Sequence, residues 1–456
     1  MTAIARARSL PMWQALSVAN FRLLWASEAV SVVGDQFYWI ALAWLVISLT
    51  GSGLALGAVL IAVAVPRAIL IVPFGVLADR RPARGLMVAA HVARGLIVGV
   101  IAALAATGDA SLPALALLGV LFGAADALYM PAQQAFLPRT VEAERLPSAN
   151  SLLQGTLQMA AIAGPPLAGI VIAIAGTGVA FTIDAVSFFA AALVILLMRP
   201  APASSRLPGH PAVDLSEPAE TANAADAPAG PSFWAELRGG IRYVAADPAI
   251  RTLMLLALVL NLALNGPAGV GMAWLANQRF DAGPAGLGLM EAGWAAGALV
   301  GIVLAGNVRL ERQGRMVVGA VAAAGLMMAA VGLLSSLVGV VAALVVMGLA
   351  IGYVNVVAVS WLQGRVEPGM VGRVMSLVML MSFGITPLSL GLSGALIDAN
   401  ATALFVGAGA LTVVTAMFAA LIRLPAMLDE RPALAQAEAA GVEASAVEAS
   451  AVAVTQ

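Results

Sequence analysis

Apolar residues run through this chain in long stretches, each bounded by glycine, proline or charged residues. A helix needs about 20 residues to cross the roughly 30 Å hydrocarbon core of a bilayer, and each stretch is close to or above that length. The pattern therefore predicts twelve membrane-spanning helices. The first six lie at about 21–48, 53–75, 85–107, 112–136, 149–175 and 178–198, and the second six at about 249–275, 284–306, 315–336, 338–362, 372–397 and 401–423.

Composition excludes several other classes of protein. With 61% hydrophobic and 10% charged residues, the chain cannot cover a soluble sphere with a polar surface. It has no cysteine, so disulfides, thiolate metal sites and cysteine nucleophiles are excluded. It has no lysine, which excludes a conventional nucleotide-binding Gly-Lys-Ser/Thr loop and so an ATP-driven pump of that kind. The use of arginine alone, together with much Ala, Gly and Pro, suggests a bacterial source.

The arginines predict the orientation of the chain, because loops on the cytoplasmic side of a membrane retain positive charge. If the amino terminus is cytoplasmic, all but three of the 23 arginines fall on the cytoplasmic side or at its interface. The exceptions are Arg67, Arg94 and Arg279. We therefore expect a multi-pass protein of the bacterial inner membrane with both termini in the cytoplasm.

The segments outside the spans predict a five-part organisation. Residues 1–20 form a cytoplasmic amino terminus without a removable signal peptide, and 21–198 form the first six-helix bundle. Residues 199–248 are a linker whose end carries apolar residues at helical spacing, as in an interfacial helix; a solvated helix is the alternative. Residues 249–424 form the second bundle. Residues 425–456 are a low-complexity tail that we expect to be disordered.

The two halves are repeats of each other. An offset of 231 places Gly57 on Gly288, Gly75 on Gly306 and Arg81 on Arg312, and an offset of 225 places Gly169 on Gly394. Because six spans separate the copies, both halves have the same orientation and are related by an axis along the membrane normal. That arrangement encloses a central cavity.

With these twelve spans, this repeat and Gly75-Val76-Leu77-Ala78-Asp79-Arg80-Arg81 between spans two and three, the chain resembles the major facilitator superfamily. Its other motifs are similar to the branch of enterobactin exporters and macrolide efflux proteins. These motifs are Asn20-Phe21-Arg22-Leu23-Leu24-Trp25, Gly34-Asp35, Leu49-Thr50-Gly51-Ser52, Pro66-Arg67, Pro131-Ala132-Gln133-Gln134-Ala135-Phe136-Leu137-Pro138 and Ala149-Asn150-Ser151-Leu152. The resemblance implies an all-α fold of two six-helix bundles and supports export.

Two further segments bear on coupling. Gly164, Pro165 and Gly169 resemble the Gly-Pro signature of the family's antiporters, with Ala168 where a second glycine is usual. Drug-proton antiporters of the family commonly carry an arginine in span four, whereas this chain has Asp126 there. This departure leaves the usual proton relay without its arginine.

Asp35 and Arg67 lie near mid-membrane on adjacent spans. An ionised carboxylate at that depth costs roughly 2.5 to 3.5 kcal/mol on insertion scales, so it needs a functional or structural reason. Asp35 is either a proton carrier or a structural partner of Arg67. Glu28 lies two turns away on the same face and could bind a proton or a cationic substrate, or could instead reach water at the cytoplasmic end. Asp126 is a third candidate acid, either neutral or paired with Arg67.

The remaining polar and aromatic residues in the spans are assigned by depth and type. Asp184, Glu291, Arg94 and His91 lie nearer the interfaces, so we expect structural roles. Candidates for the cavity wall are Phe37, Tyr38, Tyr129, Met130, Asn265, Tyr353 and Asn355. The second half has almost no mid-membrane charge, so coupling is expected in the first.

Asp79, Arg80, Arg81 and Arg84 lie at the cytoplasmic rim. By resemblance they form, with Gly75, a gate. Physically, the Asp79 carboxylate can meet the positive amino end of a helix in the other half. Anchoring by positive charge alone is the alternative.

The sequence therefore predicts a secondary exporter of amphipathic small molecules, drug-like or siderophore-like, by alternating access with proton antiport. Alternatives are a lipid or lysolipid transporter of the same fold and a solute importer. With His91 and His210 as its only histidines, the chain offers no zinc or haem set, and we expect no cofactor and no metal. We expect a monomer in the lipid bilayer that binds a small molecule and protons, without nucleic acid, and no enzymatic activity.

Overall fold

The computed structural model describes residues 15–198, 233–307, 313–367 and 370–429. The rest of the linker, the tail from 430 onward and His210 lie outside the described residues. Long helices dominate the described chain. They are α1 Ala19–Thr50, α2 Gly53–Arg80, α3 Ala83–Thr107, α4 Leu112–Phe136, α5 Leu146–Ala175, α6 Thr177–Leu196, α7 Phe233–Ala246, α8 Pro248–Arg279, α9 Gly283–Asn307, α10 Gln313–Leu333, α11 Leu337–Arg365, α12 Val371–Leu421 and α13 Leu424–Asp429.

Eleven of these helices are long and apolar enough to cross a membrane. The last of them, α12, has 51 residues and a non-helical backbone at Asn400, with φ −163° and ψ 98°. Asn400 divides α12 into 371–399 and 401–421, and each part exceeds the roughly 20 residues that a span requires. Counted this way, the described helices match the twelve predicted spans, six in each half.

The predicted seventh span is irregular in the middle. Pro267 follows Gly266, and the helix passes through π-helical turns at Pro267–Gly271 and Leu275–Arg279. Ser389 of α12 inserts its hydroxyl into the backbone ladder of α8: it donates to the Leu262 carbonyl at 2.6 Å and accepts from the Gly266 N–H at 2.7 Å. A neighbouring side chain thus satisfies backbone groups that would otherwise be costly in lipid.

The helices form two bundles that meet along two pairs of helices. In the first bundle, α1 packs on α5 and α6, α2 packs on α4, and α3 packs on α4 and α6. In the second bundle, α8 packs on α12, α9 packs on α11, and α10 packs on α11 and α12. Between the bundles, α2 packs on α12 and α5 packs on α9. The repeat converts one of these pairs into the other, because α2 corresponds to α9 and α5 to the first part of α12.

Four glycines matched by the repeat lie at these two contacts. A Cβ built on Gly57 would lie 2.9 Å from the Leu390 carbonyl oxygen, and one on Gly169 would lie 2.5 Å from that of Pro284. Gly394 and Gly288 meet the backbone of the opposite helix in the same way. Only a residue without a side chain permits this approach. The repeat therefore retains glycine where the bundles touch.

The bundles touch at one end of the molecule and diverge at the other. We call the end with residues 50–53 and 398–401 the far side and the end with residues 19 and 421 the terminal side. Gly75 lies 18 residues after Gly57, or five turns of 3.6 residues, so it is on the same face of α2. A Cβ on Gly75 meets nothing within 4 Å, and the same holds for Gly306, 18 residues after Gly288. A cleft therefore opens toward the terminal side.

The short helix α7 packs on α12 and leads into α8 on the terminal side. Asp247 caps α8, accepting from the N–H groups of Ala249 at 2.8 Å and Ile250 at 3.2 Å. Its other oxygen meets Arg365 Nε of α11 at 2.8 Å. Burial raises the pKa of the Asp247 carboxyl, but Arg365 and the two N–H groups outweigh burial and hold that pKa below its usual range.

Candidate functional site

Four charged side chains from four helices meet in the middle of the first bundle. Asp35 of α1, Arg67 of α2, Arg94 of α3 and Asp126 of α4 each lie near the midpoint of their helix. Arg94 Nη1 donates to Asp126 Oδ1 at 3.0 Å, and Arg67 Nη1 lies 3.2 Å from Asp126 Oδ2. Each carboxylate oxygen of Asp126 thus faces a different arginine. We call these four residues the charge cluster.

Arg94 is the most buried member of the cluster, with 2% of its side chain exposed. Its Nη2 lies 3.0 Å from His91 Nδ1, and its guanidinium stacks over the rings of Tyr129 and Phe188 at 4.6 and 4.4 Å. Since arginine only donates, His91 Nδ1 accepts, which makes His91 the neutral tautomer with its proton on Nε2. Aromatic faces and a neutral imidazole hold the cation in position.

This geometry corrects the expectation that Arg94 and His91 lie nearer an interface. Both are buried, and Arg94 sits in the middle of α3. The signal that identifies Arg94 from sequence is its similar distance from both ends of the predicted third span. Its partners follow only from the packing of α3 on α4.

The sequence left two roles open for Asp35, as a proton carrier or as a structural partner of Arg67. Arg67 forms its ion pair with Asp126, the alternative that the sequence left open. Within the described chain, Asp35 forms one ion pair, with Arg94, and that contact is long: Arg94 Nη1 lies 4.0 Å from Asp35 Oδ1. A quarter of the Asp35 side chain is exposed. Of the two acids in the cluster, Asp35 therefore has the longer contact with an arginine.

Glu28 is held more tightly than a residue that reaches water at a helix end. It is 7% exposed, and Gln133 Nε2 donates to its Oε1 at 2.6 Å, while the Tyr129 hydroxyl donates to the same oxygen. Tyr129 also lies against His91 and under Arg94. A continuous set of contacts thus links Glu28 to the charge cluster.

Asp184 of α6 is a further acid buried in this bundle. It is fully buried, and Ser187 donates to its Oδ1 at 3.3 Å, while its Oδ2 has no hydrogen-bond partner among the described residues. Gly34 of α1 lies directly against Asp184 and Ser187 and has no room for a side chain. The predicted Gly34-Asp35 motif therefore combines a helix contact at Gly34 with an acid at the next position.

Most of the candidate cavity residues in the first half are not on a cavity wall. Tyr38 is fully buried, stacked on Phe122 with ring centroids 4.1 Å apart, and Phe37 is buried with it. Tyr129 is buried under Arg94. Met130 is partly exposed. Aromatic residues at helical spacing here build the core of the bundle.

The second half presents amides and hydroxyls. Asn265 Nδ2 donates to Asn261 Oδ1 and to Thr386 Oγ1, both at 3.2 Å. Asn261, the exposed Asn355 and Ser382 line a largely apolar groove between α8, α11 and α12, in the terminal-side part of the bundle. Tyr353 is buried instead. Glu291 of α9 is partly exposed and lies closer to the far-side start of that helix at Gly283 than to its end at Asn307.

The two motif segments have separate positions. Gly164 of α5 lies against Gln36, and Pro165 and Gly169 lie against Gly288 and Pro284 of α9, so the Gly-Pro segment forms part of the contact between bundles. In the gate segment on the terminal side, Arg84 donates to the carbonyl oxygens of Ile195 at 3.1 Å and Leu196 at 2.6 Å.

Arg84 thus satisfies carbonyls at the end of α6 in its own bundle. Arg80 and Arg81 are exposed, the Asp79 side chain lies outside the described part, and so does Arg312 in the second copy.

The cluster can exchange charge without leaving an arginine unpaired. Arg94 lies between two carboxylates, at 3.0 Å from Asp126 and 4.0 Å from Asp35. If Asp35 takes up a proton, Arg94 keeps its contact with Asp126, and the cost of a lone buried cation is avoided. No group of three or more metal-ligating side chains occurs in the described chain.

Residues 24–389 match the family model of the Major Facilitator Superfamily. Macrolide efflux protein A of Streptococcus pyogenes is 22% identical over 388 residues, which cover 83% of this chain and 89% of that protein. The MFS-type transporter YvqJ of Bacillus subtilis is 24% identical over 350 residues, 76% of this chain and 79% of that one.

Solved structures of transporters share the fold. A bacterial homologue of the iron transporter ferroportin in an inward-facing state superimposes with a TM-score of 0.66 at 16% identity, covering 90% of this chain and 99% of that one. The nucleoside transporter NupG, as its D323A mutant, gives 0.68 at 13% identity, with 89% and 99% covered. With a family match over most of its length, twelve spans in two repeated bundles and a polar centre in the membrane, this chain belongs to the Major Facilitator Superfamily of transporters.

Proposed function

We propose that the protein exports amphipathic small molecules that carry a positive charge, in exchange for protons. The observation that carries this proposal is Asp35, a mid-membrane carboxylate that is a quarter exposed and lies 4.0 Å from Arg94 Nη1. An acid in that position can release a proton and bind a cationic substrate, or release the substrate and bind a proton. Neither the proton nor the substrate has to displace a short ion pair. Asp126 and Glu28, held by short contacts, are positioning groups in this scheme.

The cleft supports one step of the cycle. We assign the terminal side to the cytoplasm, because Arg22, Arg84, Arg145 and Arg365 lie on that side. In the cytoplasm-open state, Asp35 releases its proton and binds the cationic substrate. After the bundles rock to open the far side, a proton from outside neutralises Asp35 and the substrate leaves. Inward flow of protons then drives outward flow of substrate.

The gate segment takes part in the opposite state of this cycle. In the present structure the face of α2 at Gly75 is open. When the terminal side closes, we propose that Asp79 meets the amino end of the first part of α12, while Arg80 and Arg81 meet acids at the rim.

The substrate class has two supports. The groove of the second bundle is mostly apolar, with Asn261, Asn355 and Ser382 as hydrogen-bonding groups, which suits an amphipathic molecule. A relative over most of the chain is named as a macrolide efflux protein.

Transport in inside-out membrane vesicles tests the proposal. A macrolide antibiotic should accumulate in vesicles that contain the protein when the vesicle interior is acidic, and accumulation should stop when a protonophore collapses the pH gradient. Vesicles without the protein are the control. Accumulation of the macrolide that ignores the gradient would exclude proton antiport.

A further inference from the structure

One carboxylate joins the two bundles on the far side. Asp398, near the end of the first part of α12, accepts from Ser52 Oγ at 2.6 Å, from the Gly53 N–H at 2.7 Å and from the Leu54 N–H at 3.0 Å. Ser52 directly precedes α2 of the other bundle, and Gly53 and Leu54 are the first two residues of that helix. No other carboxylate in the described chain makes a hydrogen bond to the opposite bundle.

The chemistry of this contact favours an ionised carboxylate. The first N–H groups of a helix have no partner within the helix, and the helix dipole places partial positive charge there. Ser52 is the amino-terminal cap of α2: its hydroxyl accepts from the Ala55 N–H at 3.3 Å while it donates to Asp398. Asp398 therefore completes the capping of α2 from outside its own bundle.

The repeat shows that this contact is an addition to the common scaffold. The glycine contacts occur at both pairs of helices, α2 with α12 and α5 with α9. The offset of 225 places Ala173 of α5 at the position of Asp398. The pair of α5 and α9 thus has no such carboxylate, and only the pair of α2 and α12 carries a charged contact on the far side.

We propose that Asp398 is a lock that holds the far side closed by capping α2 of the opposite bundle, and that it must release when the far side opens. Separating α2 from α12 there breaks three hydrogen bonds to one carboxylate. The gate segment lies at the other end of the same helix pair. The pair α2 and α12 therefore makes a charged contact on the far side in one state and on the terminal side in the other. The lock acts on the conformational equilibrium and depends on neither the substrate nor protons.

Distances between spin labels test the lock, and the absence of cysteine from the chain makes the labelling sites unique. On the far side, Ser111→Cys and Ser335→Cys place labels on exposed residues of different bundles. On the terminal side, Ser151→Cys and Ser376→Cys do the same at positions that the repeat matches.

In Asp398→Ala we expect the ratio of far-side-open to far-side-closed molecules to rise about ten-fold, because hydrogen bonds to a charged acceptor are lost. The far-side distance lengthens and the terminal-side distance shortens together. Ser52→Ala removes one of the three hydrogen bonds and should give a smaller shift in the same direction. This second variant keeps the test valid if Asp398→Ala does not fold. Asp109→Ala removes an exposed far-side acid in the loop between α3 and α4 and should change neither distance. Unchanged distances in both Asp398→Ala and Ser52→Ala would overturn the lock.

Discussion

Arg94 is the residue on which the charge cluster depends. It is the most deeply buried cation of the cluster, and it lies between the carboxylate that is tightly held, Asp126, and the one that is loosely held, Asp35. Its neighbours His91, Tyr129 and Phe188 are neutral and fix its position rather than compete for its charge. Because Arg94 is fixed in this way, protonation of Asp35 leaves Arg94 and its contact with Asp126 in place.

Asp126 and Asp35 should differ sharply in their contribution to stability. Asp126→Asn leaves Arg67 and Arg94 without their short ion pairs, and removing one partner of a buried pair costs roughly 3 to 5 kcal/mol. We expect the lower part of that range, since 17% of the Asp126 side chain is exposed. Asp35→Asn should cost less than about 1 kcal/mol, the range of a weak ion pair. Thermal unfolding in detergent compares the two variants with the parent, and equal losses would contradict this assignment.

Transport should separate the same variants in another way. Asp35→Asn should fold and bind substrate more weakly, and its efflux should no longer respond to a pH gradient, because the carboxylate that we propose exchanges the proton is gone. Arg67→Lys, which retains the positive charge beside Asp126, is the matched control and should keep the response. Uptake of a macrolide into inside-out vesicles with and without the gradient measures both. A gradient response that survives in Asp35→Asn removes this residue from the coupling mechanism.

The sequence identified the charged residues of the site better than it identified which of them pair. Asp35, Arg67 and Asp126 stand out because charge in an apolar span is costly. Which arginine meets which acid depends on the rotation and spacing of α2, α3 and α4, and helix periodicity in one sequence does not specify those. The burial of Tyr38 was missed for the same reason, since an aromatic residue in a span can face the core, the cavity or lipid.

At the scale of helices, glycine determines where the bundles meet. The pairs α2 with α12 and α5 with α9 approach through Gly57, Gly394, Gly169 and Gly288, each against opposing backbone. Since the same residues align in the two halves of the sequence, the repeat already contained this information. The repeat did not show which helices pack on each other across the bundles, because it only relates the pair of α2 and α12 to the pair of α5 and α9.

Alanine at these glycines should force the bundles apart on the far side. The new methyl group of Gly57→Ala would lie 2.9 Å from the Leu390 carbonyl oxygen, and overpacking of this kind costs about 1 to 3 kcal/mol. We expect a lower unfolding temperature and slower transport. Gly155→Ala in α5 is the control, because nothing lies within 4 Å of its Cβ, and it should stabilise by about 0.5 to 1 kcal/mol through helix propensity. Equal effects of the two changes would contradict the assigned contact.

The start of α8 should respond to pH on the terminal side. The pKa of Asp247 is lowered, so its contribution is complete above the unfolded value of about 3.9 and is lost as the pH falls through the folded value. Asp247→Ala should therefore cost about 1 kcal/mol at pH 7, as for the loss of a helix cap, and the difference from the parent should shrink below about pH 4.

Thermal unfolding of both proteins across this pH range measures the effect, with Glu367→Gln, which removes an exposed acid nearby, as the control variant. A difference between Asp247→Ala and the parent that stays constant with pH would contradict the role of the charge.

At the scale of the molecule, the two halves share a scaffold and differ in chemistry. Hydropathy and the repeat predicted twelve spans in two bundles because both depend only on periodicity and length. The irregular turn at Pro267 depends on contacts with neighbouring helices and was not predicted, whereas the break at Asn400 lies between the predicted spans 372–397 and 401–423. The charge cluster belongs to the first half, whereas the second half contributes amides, an apolar groove and Asp398.

If a proton and a cationic substrate compete for Asp35, binding of the substrate must release a proton. A macrolide is added to the purified protein in weakly buffered detergent solution, and the pH is followed with an indicator dye. We expect binding to release protons, less affinity at acid pH, and no release from Asp35→Asn. Binding of the macrolide with no release of protons by the parent protein would contradict the competition.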